Sequence, residues 1–268
     1  MSALSPLQAA LFGCVEGVTE FLPISSTGHL ILLGSALGLD DEGTKTFEVV
    51  IQLGAILAVV WLYRARFLDV LRRARDPSTR RFVLNLVVAF LPAAVLGFLF
   101  HHAIKALLFR PLTVALALVL GGVAILVIEA RKPRTRVAEV EALSPPLALG
   151  IGLAQCLSLV PGVSRSGATI LGGYALGVSR TAATEFSFFL AVPTMLCATG
   201  YDLFANRAAL SAADLPAFLV GFAVAFVSAL LVVRALVRFV AHNTFRSFAW
   251  YRIALGLVTL WWSFAQAR

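Results

Sequence analysis

Glu16-Gly-Val-Thr-Glu20-Phe-Leu-Pro23-Ile-Ser25-Ser26-Thr27-Gly28-His29 places two carboxylates, a Ser-Ser-Thr run and an imidazole close together in a chain that is 60% hydrophobic. Ionisable groups in apolar sequence are costly, and inside a membrane protein they mark a functional site by default. Pro23 has no N–H and its ring clashes one turn back, so the helix carrying the glutamates must break there. Apolar sequence resumes at Leu30. The stretch reads as helix, break, helix.

The rest of the composition says what surrounds that break. Mean hydropathy is +0.91 and only 13% of the 268 residues are charged. Several windows carry about 18 or more largely uncharged residues, enough to cross roughly 30 Å of hydrocarbon. The fold class is therefore an all-α polytopic membrane protein. A transmembrane β-barrel would show short alternating segments instead. The net charge of +8 comes from basic residues concentrated in loops between apolar segments. There they set topology, and no basic patch is interleaved with aromatics, which argues against nucleic acid as a partner. Cys14, Cys156 and Cys197 sit in apolar sequence without metal-ligand spacing and read as small buried hydrophobes. Glu16 interrupts any signal-peptide core, so the N-terminus reads as part of the mature fold.

Residues 5–21 and 24–38 are each too short to span comfortably, so they read as a re-entrant helix–loop–helix hairpin. Irregular backbone at membrane depth is tolerated where protein or a water-filled cavity surrounds it. Full spans are expected at 46–63, 82–101, 111–129, 184–204, 216–238 and 248–266. Asp40, Asp41 and Glu42 mark a surface loop; His101, His102, Lys105 and Arg110 lie in a connection; Asp202 to Asp214 form a short outer loop. Basic loops at 64–81 and about 130–145 face the cytoplasm by the positive-inside rule, leaving both termini outside. Trp250, Tyr251, Trp261 and Trp262 suit the membrane interfaces. Residues 147–176 form a second hairpin, broken at Pro161-Gly162-Val163-Ser164-Arg165-Ser166-Gly167.

The two breaks are copies. With Ser25 set against Ser164, Thr27 meets Ser166, Gly28 meets Gly167, and Ala36-Leu37-Gly38 meets Ala175-Leu176-Gly177. After a two-residue deletion Glu48 meets Glu185. The single domain 1–268 thus divides into repeat 1 (about 5–130) and repeat 2 (about 145–268). Three full spans between the hairpins invert the second copy. Inverted repeats of broken helices place their site near the midplane, where the breaks meet. Ser26 and its neighbours are expected to face Ser164, Arg165 and Ser166.

The residue types in the two breaks suit phosphate chemistry. Glu16 and Glu20 share one helix face. Two carboxylates so placed persist if a divalent cation, Mg²⁺ or Ca²⁺, bridges them or if one holds a proton. Ser25, Ser26 and Thr27 open a half-helix, where hydroxyls and amides receive an anion or simply cap the helix. His29 suits acid–base work or a hydrogen-bonded core position. The Arg165 guanidinium needs an anionic partner, either a phosphate or Glu16 or Glu20. Ser164, Ser166 and Thr169 stand ready to add hydroxyl contacts. Together these are the parts of phosphoryl transfer, and a site within the bilayer points to a lipid phosphate or pyrophosphate. The same architecture also suits a transporter or flippase of a lipid phosphate. Phosphate release in detergent separates the two.

At Glu16 to His29 and at Pro161-Gly-Val-Ser-Arg-Ser-Gly-Ala-Thr169 the chain closely resembles the undecaprenyl-pyrophosphate phosphatases of the bacitracin-resistance type. Lys45-Thr-Phe-Glu-Val-Val-Ile-Gln-Leu-Gly54 and Ala183-Thr-Glu-Phe-Ser-Phe-Phe-Leu-Ala-Val-Pro193 look like the same family. The resemblance runs from about residue 5 to the last span. It implies a bacterial inner-membrane hydrolase that turns undecaprenyl pyrophosphate into undecaprenyl phosphate and inorganic phosphate. That reaction recycles the carrier lipid for peptidoglycan synthesis, cell-wall biogenesis and cell shape, and raises bacitracin tolerance. It implies a divalent cation served by Glu16 and Glu20, Ser26 as nucleophile, His29 in acid–base catalysis and Arg165 on the pyrophosphate. Ser25, Thr27, Ser164, Ser166 and Thr169 would join the substrate contacts, in a site accessible from the periplasmic side. A homodimer is compatible with all of this. Whether Ser26 attacks or only binds phosphate, and which prenyl chain length is preferred, stay open.

Overall fold

A computed structural model describes residues 4–39, 41–108, 111–205 and 214–266; the side chains of 42, 101–108 and 265–266 fall outside that description, as do Asp40 and Arg110. The described chain is helical. Its one β-type contact is an isolated bridge between Val137 and Val178.

Helix α1 (Pro6–Thr19) starts with a reciprocal cap in which Ser5 Oγ accepts from Gln8 N and Gln8 Oε1 from Ser5 N. After the first break comes α2 (Ser26–Leu37), closed by left-handed Gly38 at φ 66°. Helix α3 (Glu42–Leu62) is capped by Asp41, whose carboxylate accepts from Thr44 N at 2.8 Å. That amide holds the exposed Asp41 carboxyl below its ordinary value. Next in the chain are α4 (Arg64–Arg72), α5 (Pro77–Leu108) and α6 (Pro111–Arg131). Helix α7 (Pro145–Gln155) continues as a 3₁₀ turn, Cys156–Leu159, before the second break and α8 (Arg165–Ala175). The chain ends with α9 (Arg180–Ala205), α10 (Leu215–His242) and α11 (Arg246–Gln266).

Among the described residues five helices are long and apolar enough to cross a membrane: Gly43–Leu62, Pro77–Phe100, Pro111–Arg131, Arg180–Ala205 and Leu215–His242. The protein is a polytopic helical membrane protein. The sixth expected span, 248–266, does form a helix, but α11 falls short in hydropathy because it carries Arg252 and several aromatics with polar edges. Three further expectations need adjusting. The 64–81 connection is not irregular; it folds into α4 and the start of α5. The backbone at 101–108 is helix, an extension of α5, rather than a connecting loop. Cys14 and Cys197 are exposed, not buried: in a membrane protein an apolar exterior suits a small apolar side chain as well as a core does. The outer loop expected between Asp202 and Asp214 lies largely outside the described residues.

Glycines set the closest helix contacts. A Cβ on Gly13 would overlap the Gly221 carbonyl, fixing α1 against α10, and one on Gly152 would overlap the Ala89 carbonyl, fixing α7 against α5. Helix α6 meets α11 at Gly121 and Gly122, where a Cβ would run into Arg252, Ala249 and Ile253. Helix α3 packs on both α9 and α10, and α8 on both α7 and α9. Away from the breaks, Glu129 is fully buried and accepts from Arg180 Nε at 3.0 Å, from Arg180 Nη2 and from Phe245 N at 2.8 Å. Arg180 Nη2 also donates to Tyr174. This cluster ties the end of α6 to the starts of α9 and α11.

Candidate active site

The two breaks close over one cavity of about 150 Å³. Glu20, Ser25, Ser26 and Thr27 line it from the first break, and Ser158, Pro161, Gly162, Ser164 and Arg165 from the second, with Gln52 of α3 and Met195 of α9 completing the wall. Both tips have the same backbone. Ser25 (φ 73°) and Ser164 (φ 75°) each adopt a left-handed-side conformation that L-residues avoid. Each then caps the next helix, Ser25 Oγ accepting from Gly28 N at 3.3 Å and Ser164 Oγ from Gly167 N at 3.0 Å. Two helix N-termini therefore line the cavity, and the uncommitted amides and dipoles of first turns favour an anion.

Across the cavity the halves grip each other. Arg165 Nη2 donates to Glu20 Oε1 at 2.7 Å, and Nη1 to the Ser187 carbonyl at 3.1 Å. The remaining guanidinium donor, Nε, is buried without a partner. Ser26 Oγ donates to the other Glu20 oxygen. One carboxylate thus holds both the hydroxyl of one break and the guanidinium of the other. Ser166 Oγ crosses over as well, donating to the Leu22 carbonyl at 2.7 Å.

Several of the residues singled out from sequence stand outside the cavity wall. Thr169 is fully buried and bonded to the Arg165 carbonyl and, at 2.6 Å, to Ser187 Oγ, bracing the turn that carries Arg165. Ser166 spends its hydroxyl on Leu22 and Ser164. His29 Nδ1 faces the Ser25 carbonyl at 2.7 Å and Nε2 faces the Tyr251 hydroxyl at 2.7 Å, so both ring nitrogens are engaged away from Ser26. The immediate acceptor for the Ser26 proton is Glu20. Glu16 is fully buried on α1, and neither carboxylate oxygen has a hydrogen-bond partner. Glu20, Glu48 and Arg165 are its electrostatic neighbours. A buried carboxyl with both oxygens unspent fits a bound cation, so Glu16 passes that test for the divalent ion; Glu20 has its oxygens already shared. Among the described residues no group of three or more acidic, His or Cys side chains converges as a metal cage.

One residue of this assembly escaped the sequence reading. Arg252 of α11 is 1% exposed and donates to the carbonyls of Pro23 (3.1 Å), Gly162 (2.9 Å), Val163 (2.9 Å), Ala117 (3.1 Å) and Leu118 (3.4 Å). It ties both tips to α6. The rule that an intramembrane charge is functional would have flagged it, but its place among interfacial aromatics disguised it.

The sequence matches the family model for the bacitracin resistance protein BacA over residues 9–258. The chain belongs to the BacA family. Its relatives include the undecaprenyl-diphosphatase of Dechloromonas aromatica strain RCB, 55% identical over 97% of this chain and 95% of that protein. The undecaprenyl-diphosphatase of Nitrosomonas eutropha is 55% identical with the same coverage. Undecaprenyl-diphosphatase 2 of Rhodospirillum rubrum is 55% identical over 97% of this chain and 96% of its own length. Across such coverage the BacA-type chain here spans both breaks and every helix that positions them.

Proposed function

We propose that this BacA-family protein hydrolyses undecaprenyl pyrophosphate to undecaprenyl phosphate and inorganic phosphate, returning the carrier lipid to cell-wall synthesis. The observation that carries the reading is the cavity itself: an acid-bonded serine, the Arg165 side chain and two helix N-termini line one small space. The guanidinium and the two helix N-termini suit the charge of a pyrophosphate.

In this reading the Arg165–Glu20 pair is the resting partner exchange. A phosphate entering the cavity takes over the guanidinium fork and frees Glu20 from its counter-charge. Ser26 Oγ then bonds to the terminal phosphorus, and the bridging P–O bond breaks with its electrons passing to the lipid phosphate. The hydroxyl proton passes to Glu20 and leaves with that product. Water next attacks the phosphoserine, its proton passing through Glu20 to Ser26 Oγ, and inorganic phosphate departs. Glu16, joined by Glu20 only once Arg165 has left that carboxylate, would hold a divalent cation, which when bound would supply neutralising charge to phosphate oxygens.

The wider setting follows the same reading. The protein sits in the bacterial plasma membrane with the cavity open to the outer side, and the broken segments are re-entrant hairpins of an inverted repeat, about 5–130 and about 145–268. Matched tip backbones at Ser25 and Ser164, matched glycine contacts at Gly13 and Gly152, and the exchange of partners (α1 on α10, α7 on α5) support the repeat. The test is phosphate release from a C55 pyrophosphate in detergent, with labelled phosphate trapped on the protein by acid quench. Ser26→Ala is expected to lose both label and turnover. Full turnover by Ser26→Ala rules out serine attack, while no release by the wild type, with lipid movement in liposomes, rules out the phosphatase.

A further inference from the structure

Tyr251 and Arg252 are consecutive on α11, yet they reach the first tip by different routes. Arg252 binds the Pro23 carbonyl directly. Tyr251 reaches it through a ring: its hydroxyl lies 2.7 Å from His29 Nε2, and the two rings lie edge to edge, with centroids 5.6 Å apart and planes 2° from parallel. The far nitrogen, Nδ1, faces the carbonyl of Ser25 at 2.7 Å. A carbonyl only accepts, so Nδ1 carries the hydrogen; in the neutral ring Nε2 then accepts, and the tyrosine donates to it. The chain of contacts runs from α11 through an imidazole of one defined tautomer to the carbonyl of the left-handed residue that precedes Ser26.

We infer that Tyr251 is a positioning residue for the phosphatase reaction, acting through His29 to hold the Ser25 tip and so the Ser26 hydroxyl. A left-handed serine costs on the order of 1–3 kcal/mol and persists only where its surroundings over-determine it. Here the surroundings are the Gly28 amide on Ser25 Oγ, the His29 ring on Ser25 O, and Arg252 two residues upstream. Tyr251 fixes the one movable member of that set. Being 45% exposed, it is not a buried packing residue whose loss collapses a core. Its hydroxyl's contact with the imidazole also distinguishes it from a lipid-interface anchor, the role its sequence suggests.

The inference rests on the phosphatase reading, and its test separates the two. In Tyr251→Phe the ring is kept and the hydroxyl lost. The expected result is a fall in kcat of about tenfold at unchanged KM for a C55 pyrophosphate, by analogy with orienting partners of other functional imidazoles. In a His29→Gln background the same change should add nothing. Nitrogen-15 spectra of histidine-labelled wild type in detergent, assigned with His29→Gln, should show Nδ1 protonated and Nε2 not, with mixed tautomers in Tyr251→Phe. That spectrum needs no turnover. Wild-type kcat in Tyr251→Phe, an additive loss in the His29→Gln background, or an Nε2-protonated wild-type ring overturns the inference. No phosphate release by the wild type defeats the reading beneath it instead.

Discussion

Glu20 has two partners and needs to serve both. Its carboxylate accepts the Ser26 hydroxyl on one oxygen and the Arg165 guanidinium on the other. Glu20→Gln keeps the shape but cannot take a proton. It also leaves a largely buried guanidinium without its counter-charge. The expected outcome is a 10²–10³-fold fall in kcat, the range for losing a general base, with substrate binding retained, because phosphate no longer competes with a carboxylate for Arg165. Titrating a non-hydrolysed pyrophosphate analogue alongside the phosphate-release assay checks both halves. A rise in KM with unchanged kcat would instead make Glu20 a pure binding group.

The breaks were legible in the sequence because they are local events: Pro23 and Pro161 punctuate apolar runs, and Ser25 and Ser164 cap the helices just after them. Partners drawn from distant segments left no such mark. Arg252 satisfies its charge on five main-chain carbonyls, which no side-chain pattern records, and Glu129 meets Arg180 and Phe245 N only after α6, α9 and α11 have met. His29 shows the same limit, since its neighbours in sequence suggested Ser26 while the fold gives it Tyr251. Element contacts are testable in the same terms. Gly152→Val drives a side chain into the Ala89 carbonyl of α5, where backbone cannot give way, and should cost about 1–3 kcal/mol. A lowered midpoint of thermal unfolding in detergent is expected, whereas Gly200→Val, with nothing within 4 Å of the new Cβ, should unfold as wild type. Arg252→Met strips the donors from both tips and from α6 at once. Each carbonyl left buried without a donor is expected to cost about 1–3 kcal/mol, read as lost folding yield and lost phosphate release together.

At the scale of the whole molecule, charge and topology decide which side of the membrane each break enters from. The connection after α3 carries Arg64, Arg66, Arg72, Arg73, Arg75, Arg80 and Arg81 against Asp69 and Asp76. Arg66 spends part of its charge on Glu141 at 2.7 Å, which joins this connection to the segment before α7. Both basic connections therefore belong on one side, which we propose by the positive-inside rule to be the cytoplasmic one. With the proposed re-entrant hairpins, three spans then lie between the two breaks, and on this proposed topology the first opens outward, the second inward, and the cavity toward the outer leaflet. A cysteine at Ser78, placed after Cys14, Cys156 and Cys197 are changed to alanine, should label in inverted vesicles and resist a membrane-impermeant maleimide in intact cells. Asp41, exposed ahead of α3, gives the opposite control, labelling from outside as Asp41→Cys. Labelling of Ser78→Cys in intact cells would invert the entire assignment and put the phosphate-releasing cavity on the cytoplasmic side.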